Sequence, residues 1–421
     1  MLEETTFWER AKLSHVFLLL FFIFSVKFLF IPLNSSRFVI LGCFVTLLII
    51  RRNELIFYFN KNAFKAFSIL VLYALYTAII TLFNGSGNMA NLFVIILLLF
   101  QIAGGAYLLS AFFIKEDLNQ LLYLLLLVFG IQGILIFINF IFPAYRELMF
   151  VIMPLEGNIT EDSITSVFRT RGLMQSSGAS VSAYLATGLL MGAYFLTSFK
   201  LSKIDRRIII ACLLCIVIGI VFTGRTGFIM IPVALLAYYT LLIINNKFSW
   251  KSLLLLIYIP IGSVLFYFLI KEMYILIQPE GEIIIRAWEK WAFDQFLDSF
   301  NGSSGKSNTL AALRSFIFLP EDDSHLLFGD PTSWGVVRTD VGYIRMIYAV
   351  GVIGAILFYA GIIRLYFFMM AHAKTLSIQV FYGFLLLWGV IIEYKEPMFS
   401  HFYFTSTIAL MVFFNMREVK D

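Results

Sequence analysis

Charge is scarce in this chain. Of 421 residues, 31 are Lys or Arg and 26 are Asp or Glu, which makes 14% charged, against about 25% in an ordinary globular domain. The counterpart of that deficit is a hydrophobic content of 61% and a mean hydropathy of +0.90. So few polar side chains cannot cover a core of that size, which excludes a soluble enzyme. The apolar runs are long and unbroken rather than alternating, which excludes a transmembrane β-barrel. Cysteine is equally sparse. Cys43, Cys212 and Cys215 all lie inside apolar runs, so no disulfide framework is implied, and the Cys212/Cys215 spacing reads as small apolar packing residues. No internal repeat is visible. The first residues, Met1 to Lys12, are weakly acidic and lack a small-residue cleavage site, so the first apolar run is expected to be retained. The expected fold is all-α: a polytopic integral membrane protein, a single transmembrane domain over 1–421.

A spanning helix needs about 20 apolar residues. The runs predict about 12 transmembrane helices, near 14–33, 37–50, 63–83, 91–114, 118–142, 173–198, 208–223, 226–244, 252–270, 342–370, 378–393 and 399–416. Positive charge orients them. With the N-terminus inside, the inner segments carry seventeen basic residues and the short outer connections carry three, Arg37, Arg225 and Lys395. Both termini are therefore expected in the cytoplasm. Lys27, midway along the first span, is expected to snorkel outward. Two outer loops are long, 143–172 and 271–341, and together they hold six arginines against three lysines; arginine is the better fork for phosphate oxygens. The second loop carries amphipathic order. Pro279 and the acids after it suit a helix start, and Ile284, Ile285, Trp288, Trp291, Phe296 and Phe300 recur at mostly helical spacing. An interfacial helix with its tryptophans at headgroup level is expected there, followed by a Gly/Ser link and a short second helix, 309–319, ending at Pro320.

Four clusters offer chemistry. Thr223-Gly224-Arg225-Thr226-Gly227 holds a lone arginine between two spans with almost no loop, either a functional charge at costly depth or a snorkelling anchor. Arg169 and Arg171 precede Gln175 at the polar entry to the sixth span, suited to a diphosphate near a helix N-terminus or to plain anchoring. His325, the only histidine in either long loop, is a candidate proton acceptor or an idle surface residue. Beyond it, Arg338 and Asp340 precede Arg345, with Asp340 placed to cap the tenth helix. Glu393 and Glu396 lie one helical turn apart in the last outer turn, placed to pair with arginines or to serve as base. No HxxH or EF-hand spacing supports a metal site, so neither metal nor cofactor is expected. Matched broken helices of the kind that mark transporters are not evident.

Taken together, the Thr223–Gly227 hairpin and the run His325, Phe328-Gly329-Asp330, Thr339 to Arg345 and Gly351 to Gly354 resemble the O-antigen/capsule repeat-unit polymerases (Wzy type), relatives of the O-antigen ligases. The resemblance covers roughly Arg169 to His401. It departs from the family where Gly224 stands in place of the serine that often precedes the hairpin arginine. It implies phosphate-binding roles for Arg171, Arg225 and Arg338, and equates His325 with the prominent outer-loop histidine of the ligase branch. It further implies a glycosyltransferase of the bacterial inner membrane, active on the periplasmic or extracellular side. That enzyme moves a growing glycan from undecaprenyl diphosphate to the sugar end of an incoming lipid-linked unit. Partners would then be undecaprenyl-diphosphate-linked oligosaccharides, membrane lipids, a chain-length regulator and a flippase, and no nucleic acid. The expected catalytic set is His325, Glu393 and Arg225. Substrate binding falls to Arg169, Arg171, Gln175, Arg225, Arg338, Asp340, Arg345 and Glu396. The alternatives are the sister ligase, which passes glycan to lipid A core or protein, and a flippase or transporter of lipid-linked sugars.

Overall fold

The computed structural model describes residues 6–29, 33–50, 61–83, 100–153, 170, 172–174, 178–254, 268–269, 271–277, 281–289, 315, 317–330 and 339–418. Among the described residues the structure is helical, without strands. In chain order the helices are α1 (Phe7–Arg10), α2 (Leu13–Phe24), α3 (Ser35–Ile50), α4 (Lys61–Phe83), α5 (Gly105–Phe112, entered through a π-turn at Phe100–Gly104), α6 (Leu118–Ile141), α7 (Pro143–Ile152), α8 (Ala179–Ser198), α9 (Lys203–Thr223), α10 (Met230–Ile244), α11 (271–277), α12 (281–289), α13 (Asp323–Phe328), α14 (Gly342–Ala371), α15 (Leu376–Glu393) and α16 (Phe402–Glu418). Seven of these are long and apolar enough to cross a membrane, and α2, α3 and most of α16 are shorter apolar helices. The chain is a helical membrane protein.

Several expectations change. The first apolar run stops being helical at Phe24, where Ser25 adopts a left-handed conformation, φ 47°. Lys27 therefore lies beyond the helix end, not midway along it. Serine side chains hold this break: Ser25 and Ser36 hydroxyls share a 2.8 Å hydrogen bond, and Ser35 Oγ donates to the Phe21 carbonyl at 2.7 Å. The first long loop opens with α7, started by Pro143 in the first turn, where its missing N–H costs nothing. In the second loop α12 is present, but Ile285 and Trp288 are 2% and 3% exposed. Trp288 does not face headgroups; its ring lies 6.0 Å from Phe222. Ile317 to Pro320 is not helical, so the short second helix stops earlier than expected. The rest of that helix, the Gly/Ser link, Trp291, residues 91–99 of the fourth expected span and residues 255–267 of the ninth lie outside the described residues.

The chain divides into two compact units, one comprising 1–5 and 129–311, the other 6–128 and 312–421. In the first, α8 is the hub: nearly all its residues are buried, and it packs on α9 and α10. Small residues permit the close approach. Gly188 faces Phe129 and Ile216, and Gly219 of α9 faces Gly133 of α6. An aromatic run, Tyr274–Phe140–Phe222, with centroids 4.5 and 4.1 Å apart, closes this core at one end of α9.

The second unit is organised by α14, which is not one straight rod. Gly351, at φ 68° and ψ 176°, breaks it. Glu393 Oε1 accepts from Tyr359 Oη at 2.7 Å, and a Cβ added at Gly342 would lie 2.5 Å from that same oxygen. On a straight helix Gly342 and Tyr359 would stand about 25 Å apart, at about 1.5 Å per residue. Tyr73 of α4 repeats the observation, touching Met346 Sδ at 3.8 Å and the Phe358 ring at 5.2 Å. The helix therefore folds at Gly351 into a short arm, 342–350, and a long arm, 352–371. The long arm alone spans about 30 Å. The fold is held by a second glycine: Gly329 (φ 73°) lies against the Gly351 backbone, and the Asp330 amide donates to the Tyr348 carbonyl at 2.8 Å, satisfying an acceptor that the break frees.

Candidate functional site

Two groups of side chains, one in each unit, carry the sequence candidates. In the first unit the hairpin after α9 is fixed through its backbone. Gly227 N donates to Ser182 Oγ at 3.1 Å, and Thr223 Oγ1 donates to the Gly219 carbonyl at 2.6 Å. The hairpin itself turns through a 3-10 helix, Arg225–Ile229. Thr170 then meets this hairpin: its N–H and its hydroxyl both donate to the Phe222 carbonyl, at 3.2 and 2.9 Å. Thr170 stands between Arg169 and Arg171, so a segment with two predicted phosphate ligands and the hairpin that carries the lone Arg225 are joined here through one carbonyl. Just beyond, the Leu173 amide donates to Gln132 Oε1 at 3.1 Å, and Gly172 takes φ 57° against that amide side chain. Arg169, Arg171, Gln175 and Arg338 lie outside the described residues, and for Arg225 only the backbone is described.

In the second unit, Glu393 ends α15 and is 5% exposed. Burying a carboxyl is costly unless its oxygens find donors. Oε1 takes the Tyr359 hydroxyl at 2.7 Å and Oε2 takes the Phe399 amide at 3.0 Å. Phe399 is locked in turn, its carbonyl accepting from Thr405 Oγ1 at 2.6 Å and its ring packing against Tyr359, Tyr366 and Phe404. Glu396 is half-buried in the same turn, with its backbone N–H donating to the Ile392 carbonyl at 2.8 Å. Replacing Tyr359 by Phe leaves Glu393 Oε1 without its donor, and thermal unfolding in detergent is expected to show a loss of about 1–3 kcal/mol.

Arg345 lies on the short arm of α14, half-buried. Asp340 does not cap that helix: the N-cap is Val341, and the Val341 amide donates instead to Thr339 Oγ1 at 3.2 Å, leaving Asp340 exposed. Thr339 is the shorter, buried side chain and reaches the amide two residues on, as Ser/Thr turns do. His325 sits on α13, its backbone N–H capped by Asp322 Oδ2 at 2.9 Å. The Ser324 hydroxyl and that same amide hold the exposed Asp322 carboxyl below its ordinary range. The His325 ring meets Tyr348 edge-on at 6.2 Å, and its Nε2 is buried with no hydrogen-bond partner.

Two residues given no role above belong to this group. Tyr359 is 34 positions from Glu393 and becomes its neighbour because the long arm of α14 and α15 run back along each other through the turn at 372–375. His401 follows the turn and precedes α16; its ring stacks on Tyr403, centroids 5.0 Å apart and planes 11° from parallel, and its Nε2 is buried without a partner. Burial, then the nearby charge of Arg345, push its imidazole down to about 4. Its signal was in plain view, since His401 shares a short turn with Glu393 in a chain with four histidines. Among the described residues no three His, Cys, Asp or Glu side chains gather as metal ligands. No protein-family model matches the chain, and no curated protein matches it.

Proposed function

We propose that the chain is a repeat-unit polymerase of lipid-linked oligosaccharides, making O-antigen or capsular polysaccharide at the outer face of a bacterial inner membrane. In this reading it has about 12 spans, both termini in the cytoplasm, and a chain-length regulator and a flippase as partners. The observation that carries the reading is the double hydrogen bond of Thr170 to the Phe222 carbonyl, because it supports a common role for Arg169, Arg171 and Arg225. An undecaprenyl diphosphate is a good leaving group once its charge is held, so guanidinium groups supply the main electrostatic term. In this reading phosphate binding falls to Arg171 and Arg225 in the first unit and to Arg338, with Arg345 in support, in the second. What remains is removal of the acceptor hydroxyl proton by His325 or Glu393. Direct attack on the anomeric carbon inverts it.

The test uses purified protein in vesicles, supplied only with the lipid-linked repeat units that accumulate in cells lacking this chain. A ladder spaced by one repeat unit, with inverted new linkages, supports a polymerase. Transfer that appears only when lipid A core or a protein acceptor is added supports the sister ligase. A second reading has one observation in its favour: α14 is broken at Gly351 and its first residue, Gly342, lies against the buried Glu393 carboxyl, and broken helices and buried ionisable groups are features of transporters. Movement of the lipid-linked unit across the bilayer with no new glycosidic bond supports that one.

A further inference from the structure

Resting on the polymerase reading, the geometry points to His401, rather than Glu393, as the group that takes the acceptor's proton, beside a phosphate held by Arg345. The two groups differ in how far their acceptor atoms are already committed: a carboxylate offers about four lone-pair sites, and each Glu393 oxygen already accepts a donor. Both Glu393 oxygens are already engaged, Oε1 by Tyr359 and Oε2 by the Phe399 amide. Those contacts hold the turn 394–401 in shape, which makes Glu393 a positioning residue. His401 Nε2, two residues beyond Phe399, is buried and has no partner. A buried polar atom left unpaired costs free energy, and in a native structure such an atom calls for an explanation, a catalytic role being one.

The ring is also preset. Stacking on Tyr403 fixes its plane, and the Thr405 and Phe399 contacts fix the backbone on either side. The charged and titratable groups contributed by the surrounding elements are Tyr343 and Arg345 on the short arm, Tyr359 and Tyr366 on the long arm, Tyr403 on α16, and Glu393, Tyr394, Lys395 and Glu396 in the turn. Of these, Arg345 is the one whose charge acts on the imidazole. That makes the base conditional. Before substrate binds, the dry surroundings and then the guanidinium charge keep the imidazole neutral and weakly basic. A diphosphate that neutralises Arg345 removes the repulsion, so basicity rises when substrate binds.

The step then balances. The acceptor O–H bond breaks, with its proton passing to Nε2. The acceptor oxygen forms a bond to the anomeric carbon, and the carbon–oxygen bond to diphosphate breaks with its electron pair leaving on phosphate. The imidazolium later returns its proton to water.

In vesicles supplied with the same accumulated lipid-linked units, His401→Gln is expected to lower kcat at least about 100-fold with KM within about threefold, while His372→Gln stays at the wild-type rate. A His401→Gln rate within about threefold of wild type overturns the inference and leaves the polymerase reading standing; no polymer from the wild type overturns both. Should His401→Gln not fold, the wild-type protein decides. With its histidines isotopically labelled, the imidazole resonance of His401 is followed by NMR across pH, with and without inorganic pyrophosphate. A titration midpoint rising by about one pH unit with pyrophosphate supports the inference, and a midpoint unmoved while phosphorus NMR shows pyrophosphate bound overturns it.

Discussion

Gly351→Ala is expected to destabilise the protein by about 2–6 kcal/mol. Two terms add. The backbone at φ 68°, ψ 176° lies in a region essentially reserved for glycine, where another residue pays about 1–3 kcal/mol. A Cβ there would also fall on the Leu327 carbonyl oxygen and close to the Phe328 amide, and forcing atoms into a packed site costs a further 1–3 kcal/mol or so. Both obstacles are backbone, so no side chain can swing aside. Against a typical total of about 5–15 kcal/mol, the loss should be visible as a lower melting temperature in detergent. Gly383 in α15 provides the control, because a Cβ there meets nothing within 4 Å; Gly383→Ala should be neutral or gain up to about 1 kcal/mol. Equal melting of Gly351→Ala and wild type would mean that α14 does not fold back as described.

Arg225→Ala is expected to abolish long polymer while leaving single repeat units. Removing one preorganised charge partner from a developing anion costs about 100- to 1000-fold in rate. The hairpin should survive the change, because its fixing contacts come from the Gly227 amide, the Thr223 hydroxyl and Thr170, none of which involves the Arg225 side chain. Product gels and a melting curve on the same preparation separate the two effects. Long polymer from a well-folded Arg225→Ala protein would remove this arginine from the phosphate site.

Much of the architecture was legible because it rests on composition. Runs such as Leu118–Ile141 and Leu376–Glu393 announce themselves by length and hydropathy, and their helices form where expected. What stayed hidden are events that composition does not register. Val350-Gly351-Val352 is as apolar as its flanks, so the break in α14 has no signature beyond one glycine among many. The approach of Gly342 to the Glu393 carboxyl follows from that break and was out of reach without it. Trp288 was read as an interfacial anchor because amphipathic spacing is the same whether a tryptophan faces lipid or protein, and here Phe222 receives it. Lys27 looked mid-span because Ser25, which ends the helix, is a single small residue in an apolar stretch. The candidate site was legible in part. Arg345 stands out as a charge just inside an apolar span, and Glu393 by its spacing of one helical turn from Glu396 in the last outer turn. The capping role given to Asp340 falls to no side chain: Thr339 instead forms a local turn to the Val341 amide just ahead of the helix.

The central claim is that a glycan leaves a lipid diphosphate and forms a bond to another lipid-linked glycan. The most direct measurement counts both products at once: free undecaprenyl diphosphate released and glycosidic bonds formed, by purified protein in vesicles holding no acceptor but lipid-linked repeat units. One diphosphate released per bond, with the count falling together in Arg225→Ala, is the predicted result. Translocated repeat units with neither bonds nor released diphosphate would contradict it.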